Sequence, residues 1–506
     1  MTFQHLLDGV EVLAQSGNPE VSSVEYDSRR VKPGCVFIAM HGESADGNRF
    51  IDRAIQSGAV AVVTDSPSEP QREGLAWAVV PHGRRALARL SANFYKRPAE
   101  RLALTGITGT NGKSTTAYLI ESILSACGRK SALIGTIEYH VAGRVYPAPH
   151  TTPEALELER MFNEALGAGA TEAVMEVSSH ALAQQRVFGI PFDVAVFTNL
   201  TRDHLDYHKT MDEYFAAKRV LFEGCGTDAP RACVTNLDDE YGAKLAEFSL
   251  KRGSTVLTYG WERGDFHAEN IDITPRGTRF DMVTPKEKIA VFSQLIGKVN
   301  VYNILAASAA CFARDCSAQA IARGVELLTH VPGRFQRVDC GQPFTVVVDY
   351  AHTDDALRNL TGLAREFVTR AGPRGRVLTV FGCGGDRDRA KRPMMGDAAG
   401  RGSDFVVLTS DNPRSEDPRA IINDAVVGLQ KTGVAYRVEA DRRKAIALAI
   451  NEARPGDLVL LAGKGHEKVQ VTREGSLPFD DAEVAREALK SAGFECESAS
   501  AAGHQS

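Results

Sequence analysis

A glycine-rich segment at residues 106–116 reads GITGTNGKSTT, follows an apolar run and precedes a helical pattern, which is the context of a phosphate-binding loop. Its glycines let backbone N–H groups converge on phosphate oxygens, and the helix N-terminus adds partial positive charge. Lys113 would reach the terminal phosphates, and the hydroxyl of Ser114 or Thr115 would face Mg²⁺. One departure is Ile107, which stands where the general pattern has its first glycine. The predicted phosphate contacts are Gly109, Thr110, Asn111, Gly112, Lys113, Ser114 and Thr115.

A second polar cluster, EVSSH at residues 176–180, follows an apolar run that we predict to be a strand. A carboxylate at the carboxyl end of a strand, beside a phosphate-binding loop, suits a Mg²⁺ ligand. The same residues could equally cap the helix that follows. The pattern by itself leaves both interpretations of Glu176 open.

The segment TNLTRDHLDYH at residues 198–208 also follows a predicted strand and is dense in groups that bind metals. Lys218 lies fourteen residues after His204, in a helical run at 214–222. A lone histidine is more often structural. A whole cluster at a strand end, in a domain with a phosphate-binding loop, favours a metal or catalytic role.

Alternating apolar runs and helical patterns over 506 residues predict an α/β protein of three domains. We predict a small α/β domain at 1–98, a central phosphate-loop domain with a mostly parallel sheet at 99–333, and a C-terminal Rossmann-like α/β domain at 334–506. Pro98 ends a helical pattern and marks the first boundary. The predicted strands include residues 35–39, 59–63, 102–108, 173–177, 194–197, 232–234, 345–349, 377–381, 405–409 and 457–461.

The composition is that of a globular protein, with 43% hydrophobic and 24% charged residues. A net charge of -5, from 59 basic and 64 acidic residues, excludes the basic surface of a nucleic-acid-binding protein. The sequence has no signal-peptide pattern and no apolar run of about 18 residues, so we expect a cytoplasmic protein without membrane insertion. The nine cysteines form no CxxC pair, and we expect them to be reduced. We expect small-molecule partners and a monomer.

Together these motifs resemble the Mur ligases. The motifs that carry the resemblance are TGTNGKS at 108–114, EVSSH at 176–180, NLTRDHLDYH at 199–208 and NVYNILAA at 300–307. The resemblance runs from DSR at 27–29 to GKGHE at 463–467, nearly the whole chain, and is greatest to the members that add the third residue of the peptidoglycan stem peptide. It implies ATP-dependent amide formation through an acyl phosphate.

The resemblance implies that Lys113 and its loop hold the ATP phosphates, and that Ser114 or Thr115 holds Mg²⁺ with Glu176. It also implies that His204 and Lys218 take part in a second metal site. In the family this lysine is carbamylated, which turns a cation into a carboxylate-like ligand; the alternative is a solvated helix lysine. The residues implied to contact the rest of ATP are Asn300, Asn303, Arg334, Asp349 and His352.

The resemblance further implies where the two other substrates bind. The contacts implied for a UDP-N-acetylmuramoyl dipeptide are Ser28 at the uracil, with Thr151, Thr152, Ser178, Arg186 and Lys218. In this family, the sequence DNPR at 411–414 goes with meso-diaminopimelate. Arg414 offers a planar fork for the distal carboxylate, a group that lysine lacks. The contacts implied for diaminopimelate are Arg387, Asp411, Asn412, Pro413, Arg414, Gly463 and Glu467.

The sequence departs from the family at Asp354, where we expect proline, but the change removes no chemical group. Three alternatives stay open. A lysine-adding member is disfavoured by Arg414, and a folylpolyglutamate synthase-like ligase by the uridine-type N-terminal domain and the DNPR segment. A nucleotide-dependent switch without ligase chemistry leaves the histidine-rich strand ends of the central domain unexplained.

Overall fold

The computed structural model describes residues 1–42, 45–67, 74–274, 276–371 and 375–496. Three α/β units follow one another along the chain, each built on its own main sheet, as the sequence predicts. Residues 497–506, the end of the predicted third domain, lie outside the described residues. Every helix in the described ranges is too short or too polar to span a bilayer.

The first unit is a small sheet with helices on it. Its elements are strands β1 (Ala14–Ser16), β2 (Ser23–Glu25), β3 (Cys35–Ala39), β4 (Ala59–Thr64) and β5 (Ala76–Val79), and helices α1 (Phe3–Leu6), α2 (Ile51–Gln56) and α3 (Gly83–Phe94). The sheet order is β1-β5-β4-β3-β2, with β1 antiparallel to β5 and the other pairs parallel. After α3, Lys96 and Arg97 adopt φ of 63° and 54° and turn the chain into a 3₁₀ helix at Pro98–Arg101.

The central unit carries the phosphate loop between β6 and α4. Its main elements are strands β6 (Ala103–Thr108), β7 (Ser131–Ile134), β8 (Glu138–Val141), β9 (Arg144–Pro147), β10 (Glu172–Glu176), β11 (Val194–Phe197), β12 (Ala232–Asn236) and β13 (Thr255–Tyr259), and helices α4 (Lys113–Ala126), α5 (Ala155–Gly167), α6 (Ser179–Ala183), α7 (Leu205–His208), α8 (Met211–Glu223) and α9 (Glu240–Lys251). The sheet order is β13-β12-β11-β6-β10-β7-β8-β9, parallel from β13 to β7. The carboxyl ends of β6, β10 and β11 therefore meet at one edge.

A small antiparallel sheet in the central unit was not predicted. It consists of β14 (His267–Thr274), β15 (Gly277–Val283) and β16 (Lys288–Ser293), followed by helices α10 (Lys298–Ala313) and α11 (Ala318–Leu327). These strands alternate buried and exposed residues, unlike the continuous apolar runs of the parallel strands. Phe280, Met282 and Val291 pack into one core with buried residues of α10.

The third unit is a second doubly wound sheet. Its elements are strands β17 (Gln336–Val338), β18 (Thr345–Asp349), β19 (Val377–Phe381), β20 (Phe405–Leu408), β21 (Ala435–Val438), β22 (Leu458–Ala462), β23 (Val469–Thr472) and β24 (Gly475–Pro478), and helices α12 (Asp354–Ala371), α13 (Lys391–Gly402), α14 (Pro418–Gln430), α15 (Arg442–Glu452) and α16 (Asp481–Ser491). The main sheet order is β17-β18-β22-β19-β20-β21, with β17 antiparallel and the rest parallel. The Rossmann-like prediction is confirmed.

The expectation that all nine cysteines are reduced is wrong for one pair. Cys340 and Cys496 form a disulfide across 156 residues of sequence. Cys496 follows α16, which packs against β17 and β18, so the fold returns it to the segment after β17. The remaining seven cysteines, all within the described ranges, carry free thiols. A pairing over this distance leaves no local signal in the sequence.

Candidate active site

The phosphate loop approaches its neighbours so closely that two positions require glycine. Gly109 and Gly112 adopt φ of 147° and 87°. A Cβ at Gly109 would lie 1.9 Å from the Thr198 hydroxyl oxygen, and one at Gly112 would lie 2.4 Å from the side-chain oxygen of Asn303. Only glycine satisfies both the backbone angle and the space.

Two lysines, the half-buried Lys113 and the buried Lys218, converge on this loop. The Lys113 ammonium donates to the carbonyl oxygens of Gly109 and Thr110, at 3.0 and 2.9 Å. Lys218 on α8 donates to the same Gly109 carbonyl at 2.9 Å and lies 4.4 Å from the ring centroid of Tyr214. Burial lowers the pKa of both lysines, and the nearby Lys113 lowers the pKa of Lys218 further. Lys218 is 1% exposed, which excludes the alternative of a solvated helix lysine.

The sequence left two roles open for the segment at 176–180, a metal ligand and a helix cap, and the structure places Glu176 and Ser178 differently in this respect. Glu176 is the last residue of β10, and its buried carboxylate accepts hydrogen bonds from the N–H and hydroxyl of Thr136, at 2.8 and 2.9 Å. It is close enough to Lys113 to oppose the fall in that lysine's pKa. The Ser178 hydroxyl instead caps α6 by accepting from the N–H of Ala181 at 3.2 Å. The serine is therefore the residue that caps α6, whereas the Glu176 carboxylate bonds to Thr136 and lies near Lys113 of the phosphate loop.

His204 lies immediately before α7, with φ of 52°. Its ring packs edge-on against His180 at a centroid distance of 4.8 Å, and its Nε2 lies 3.4 Å from the Asp203 carboxylate. Burial lowers the pKa of His204 to about 3, although the negative charge of Asp203 acts to raise it. The imidazole is therefore neutral, which is the form that binds metals. We call the edge of the central sheet that carries Lys113, Glu176, His204 and Lys218 the phosphate edge.

The residues implied to contact the rest of ATP come from two units. Asn300 and Asn303 are buried on α10, where the Asn303 amide donates to the Asn300 side-chain oxygen at 3.1 Å. Arg334, at the start of the third unit, donates to the Ser114 hydroxyl at 3.2 Å and lies 4.8 Å from the ring centroid of Tyr350. The third unit thus contacts the phosphate loop directly.

Asp349 and His352 flank the same tyrosine. The Asp349 carboxylate accepts from the N–H groups of Phe335 and Ala351 at 2.7 and 2.9 Å, and desolvation raises its pKa. The His352 ring is exposed, with its centroid 4.6 Å from that of Tyr350. The predicted nucleotide contacts of the central and third units are therefore neighbours.

Three of the residues implied to bind the dipeptide substrate form a hydrogen-bonded group beside Glu176. The Thr152 hydroxyl donates to the Glu176 backbone carbonyl at 2.8 Å and accepts from the Ser178 N–H at 3.1 Å. Arg186 donates to the Thr152 carbonyl oxygen at 2.9 Å. The same guanidinium donates to the side-chain oxygen of Gln184 at 2.7 and 3.1 Å, a partner that sequence reasoning missed.

Thr151 and Ser28 are two further dipeptide-substrate candidates. The hydroxyl oxygens of Thr151 and Thr136 lie 3.1 Å apart, so Thr151 adjoins the carboxylate of Glu176. Ser28 is buried in the first unit, in the loop after β2. The hydroxyl of nearby Tyr26 donates to Glu157 on α5 at 3.2 Å, which attaches this loop to the central unit.

In the third unit, Asp411, Asn412, Arg414, Lys464 and Glu467 gather after β20 and β22, and we call them the third-block cluster. The Asn412 amide donates to the Glu467 carboxylate at 2.7 Å. The Lys464 ammonium is fully buried and donates to the Asn412 side-chain oxygen at 3.0 Å and to Glu467 at 2.9 Å. The buried Lys464 charge is therefore matched by a carboxylate and an amide oxygen.

Arg414 and Gly463 adjoin the cluster, and Arg387 lies beside Arg414, since a Cβ at Gly384 would be 3.0 Å from Arg414 and 3.7 Å from Arg387. The Arg414 guanidinium donates to the Gly385 carbonyl at 2.7 Å. A Cβ at Gly463, where φ is 115°, would lie 2.6 Å from the Asp411 carboxylate. Pro413 packs against Gly385, since a Cβ at Gly385 would come 1.9 Å from the Pro413 carbonyl oxygen. Arg387 is exposed.

Four residues in these groups escaped sequence reasoning: Thr136, Gln184, Lys391 and Lys464. Lys391 on α13 pairs with Asp203, 188 residues away, so no local pattern could have found it. Thr136 follows β7, and its place after a strand next to β10 is a usable signal. Lys464 stands inside the GKGHE segment and could have been included.

The donor chemistry of the phosphate edge fits Mg²⁺ held together with a nucleotide. In the described ranges, no group of three or more His, Cys, Asp or Glu side chains could hold a metal ion. The expected ligands are instead the hydroxyls of Ser114 or Thr115 and the carboxylate of Glu176, all buried beside the loop. Magnesium prefers such oxygen donors and takes its remaining ligands from water and phosphates.

Comparisons with known proteins agree with this geometry. Family models match the chain at residues 20–95 (Mur ligase family, catalytic domain), 107–311 (Mur ligase middle domain) and 333–465 (Mur ligase, glutamate ligase domain). A relative from Solibacter usitatus, named UDP-N-acetylmuramoyl-L-alanyl-D-glutamate--2,6-diaminopimelate ligase, is 56% identical over 476 residues, 94% of each chain. A relative of the same name from Geobacillus thermodenitrificans is 46% identical over 94% of this chain and 96% of its own.

A solved structure of a ligase of that name is 33% identical, with a TM-score of 0.68 over 97% of this chain and 99% of its own. The chain belongs to the Mur ligase family of three-domain ligases. The family and the fold class that the motifs indicated are both confirmed.

Proposed function

We propose that this protein is an ATP-dependent amide ligase that adds meso-2,6-diaminopimelate to UDP-N-acetylmuramoyl-L-alanyl-D-glutamate in peptidoglycan synthesis. The observation that carries the proposal is the contact of Arg334 with Ser114, which joins the phosphate loop to the unit holding the third-block cluster. A nucleotide and an amino acid bound at these two groups would face each other. We further propose a cytoplasmic location, because ATP and a UDP-linked substrate are cytoplasmic compounds.

In the first step, an oxygen of the D-glutamyl γ-carboxylate attacks the γ-phosphorus of ATP, and ADP leaves. The N–H groups of residues 109–112 and the Lys113 ammonium would hold the phosphates and offset charge on the transferring group. Arg186 and Thr152 would hold the dipeptide carboxylate in line with the nucleotide. The expected product is an acyl phosphate.

Bound Mg²⁺ would supply charge stabilisation to the phosphates, held by Ser114 or Thr115 and Glu176. At the second site, His204 is neutral and can donate its lone pair. Lys218 would become a ligand once its amine has combined with CO₂ to give a carbamate and a proton. Burial favours the neutral amine that this addition requires.

In the second step, the neutral amine of diaminopimelate attacks the acyl carbon, phosphate leaves, and the nitrogen loses a proton. The third-block cluster would hold the distal end of the amino acid. Arg414 is suited to the distal carboxylate because its fork can pair with both oxygens, and Glu467 is suited to the distal ammonium. Bound lysine would leave Arg414 without its carboxylate partner.

The experiment that tests the proposal is phosphate release from ATP by the purified protein, with the UDP-linked dipeptide and either diaminopimelate or L-lysine. Release with diaminopimelate alone is the expected result, with ADP as the other product. Release with lysine instead would keep the ligase class and refute the role of Arg414. ATP binding without amine-dependent turnover would favour a nucleotide switch, and turnover with folate substrates would favour a folylpolyglutamate synthase-like ligase.

A further inference from the structure

Three free cysteines cluster at the end of the central unit opposite the phosphate edge. Cys127 directly follows α4, Cys311 lies in the last turn of α10, and Cys316 follows α10. The sulfurs of Cys311 and Cys127 lie close enough to that of Cys316 to shift its pKa. The backbone also draws two of them together, because the Cys316 N–H donates to the Cys311 carbonyl oxygen at 3.0 Å.

The cluster opens onto a cavity of about 910 Å³, which gives small molecules access to it. Cys127 and Cys316 line this cavity together with Arg129 and Arg323; Cys127 is half-buried, Cys316 is 6% exposed, and Cys311 is fully buried behind them. The charged groups around the thiols are mixed, since Arg129 pairs with Glu172 at 3.0 Å. Asp315 and Glu326 also line the cavity, which therefore presents two thiols among basic and acidic side chains.

The three thiols differ in protonation. Hydrogen bonding from Cys311 lowers the pKa of Cys316 to about 6; burial opposes this, and Cys127 and Arg129 reinforce it. Burial raises the pKa of Cys127 to about 12 and raises that of Cys311 as well. Of the three, Cys316 therefore has the greatest thiolate character, and the thiolate is the form that reacts with electrophiles.

We propose that Cys316 and Cys127 form a peroxide-reactive pair, in which Cys316 is the attacking sulfur and Cys127 the resolving one. The Cys316 thiolate attacks one oxygen of hydrogen peroxide, which gives a sulfenic acid and hydroxide. The Cys127 sulfur then attacks the sulfenic sulfur, its proton leaves with the hydroxyl as water, and a disulfide forms. The peroxide is reduced, and the two thiols are oxidised.

The bond would join the end of α4 to the segment between α10 and α11. The first of these helices begins at Lys113 on the phosphate loop, and α10 carries Asn300 and Asn303. A Cys127–Cys316 bond would therefore connect the C-terminal ends of α4 and α10, the two helices that carry these candidate nucleotide-binding residues. Neither cysteine belongs to the motifs on which the ligase proposal rests, so the two proposals can fail separately.

The test treats the full-length protein with hydrogen peroxide, blocks the remaining thiols under denaturing conditions and maps the linked peptides by mass spectrometry. The expected result is a new Cys127–Cys316 linkage beside the existing Cys340–Cys496 bond. We also expect iodoacetamide to modify Cys316 at least about tenfold faster than the buried Cys233 at neutral pH. A Cys311–Cys316 linkage, or equal rates at Cys316 and Cys233, would refute the proposal.

The variant Cys127→Ser separates the two steps. It should stop at the sulfenic acid of Cys316, which a dimedone probe captures, whereas Cys316→Ser should leave Cys127 unreacted. The matched control Cys383→Ser removes a buried thiol of the third unit and should leave the linkage unchanged. Dimedone labelling of Cys127 in the Cys316→Ser variant would show that the roles are assigned wrongly. The linkage test on the wild-type protein needs no variant to fold.

Discussion

The phosphate edge and the third-block cluster both bury charged side chains, but they compensate the charge differently. At the phosphate edge, the ammoniums of Lys113 and Lys218 donate to backbone carbonyls, and burial lowers the pKa of both. In the third-block cluster, the buried Lys464 ammonium meets the Glu467 carboxylate at 2.9 Å. At the phosphate edge, burial lowers the pKa of the lysines, whereas the third-block cluster pairs its buried lysine with a carboxylate.

The difference fits the ligands that we propose for the two regions. An anion such as a triphosphate is bound best by cations that are not already paired with carboxylates, because no ion pair within the protein then competes with the anion. An amino acid carries both signs, so it suits a cluster that presents both signs in fixed positions. Five predictions test whether this contrast holds.

The largest effect is expected for Lys113→Met at the phosphate edge. Losing the cation that offsets charge on the transferring phosphoryl group should lower the rate of phosphate release about 10³-fold. Initial rates at saturating substrates would measure this. The control Lys251→Met alters an exposed lysine at the end of α9 and should leave the rate unchanged. A loss below about tenfold would remove Lys113 from the proposed mechanism.

Lys218→Met should lower the rate about 10²-fold, because it removes the proposed metal ligand. If the ligand is a carbamate, wild-type protein depleted of CO₂ should also lose activity and regain it when bicarbonate is added. The exposed Lys244 offers a matched control, Lys244→Met, for which we expect wild-type behaviour. Activity that is indifferent to bicarbonate would argue against the modification and leave the metal role to be tested separately.

Arg414→Lys should weaken selectivity for diaminopimelate over lysine. Loss of a buried bidentate charge pair costs about 2–5 kcal/mol, which is at least about 30-fold in the ratio of kcat/KM values. The KM for ATP should stay within about twofold of wild type, because the change lies in the third-block cluster. Arg419→Lys, on the exposed surface of α14, is the control. Unchanged selectivity would contradict the role assigned to Arg414.

Lys464→Met probes the internal pairing of the third-block cluster. Without the ammonium, Asn412 and Glu467 lose a shared partner, so we expect the KM for diaminopimelate to rise about tenfold with little change in the KM for ATP. Steady-state kinetics with each substrate varied would measure both. Lys468→Met, at an exposed neighbour, serves as the control. Equal changes in both KM values would point to general misfolding.

The smallest effect concerns His140, a paired charge in the same unit as the phosphate edge. Its ring nitrogens lie 2.8 Å from Glu121 and 3.0 Å from Glu138; burial lowers the pKa of His140, but these bonds raise it to about 9. Because the folded-state pKa lies above the unfolded value near 6.5, this histidine should stabilise the fold fully below pH 6.5. That contribution should disappear as the pH rises through about 9.

Denaturant unfolding of wild type and His140→Gln between pH 6 and 10 would measure this contribution. The difference in unfolding free energy should be largest at the acidic end and shrink towards the alkaline end. An exposed histidine whose ring pairs with a carboxylate in the first unit, changed as His41→Gln, should show a much weaker dependence. A constant difference across the range would mean that His140 is held by packing rather than by charge.

Much of the fold could be predicted from continuous apolar runs. Strands β3, β11, β18 and β19 have the predicted bounds, because both faces of a parallel strand are buried and every residue contributes to the signal. Strands β14 to β16 were not predicted, because burial alternates along β15 and β16 instead of continuing from residue to residue. The site predictions depended on motifs at strand ends, and those motifs do adjoin one another.

The sequence by itself determined the order of the motifs, the glycines of the phosphate loop and the chemical groups available at each strand end. Only the tertiary structure decided which distant groups meet. Ser114 and Arg334 are 220 residues apart, and Asp203 and Lys391 are 188 apart. The strand order β12-β11-β6-β10-β7 and the docking of the third unit bring such groups together. Local patterns report local backbone preferences, whereas these contacts depend on how buried surfaces pack across the whole chain.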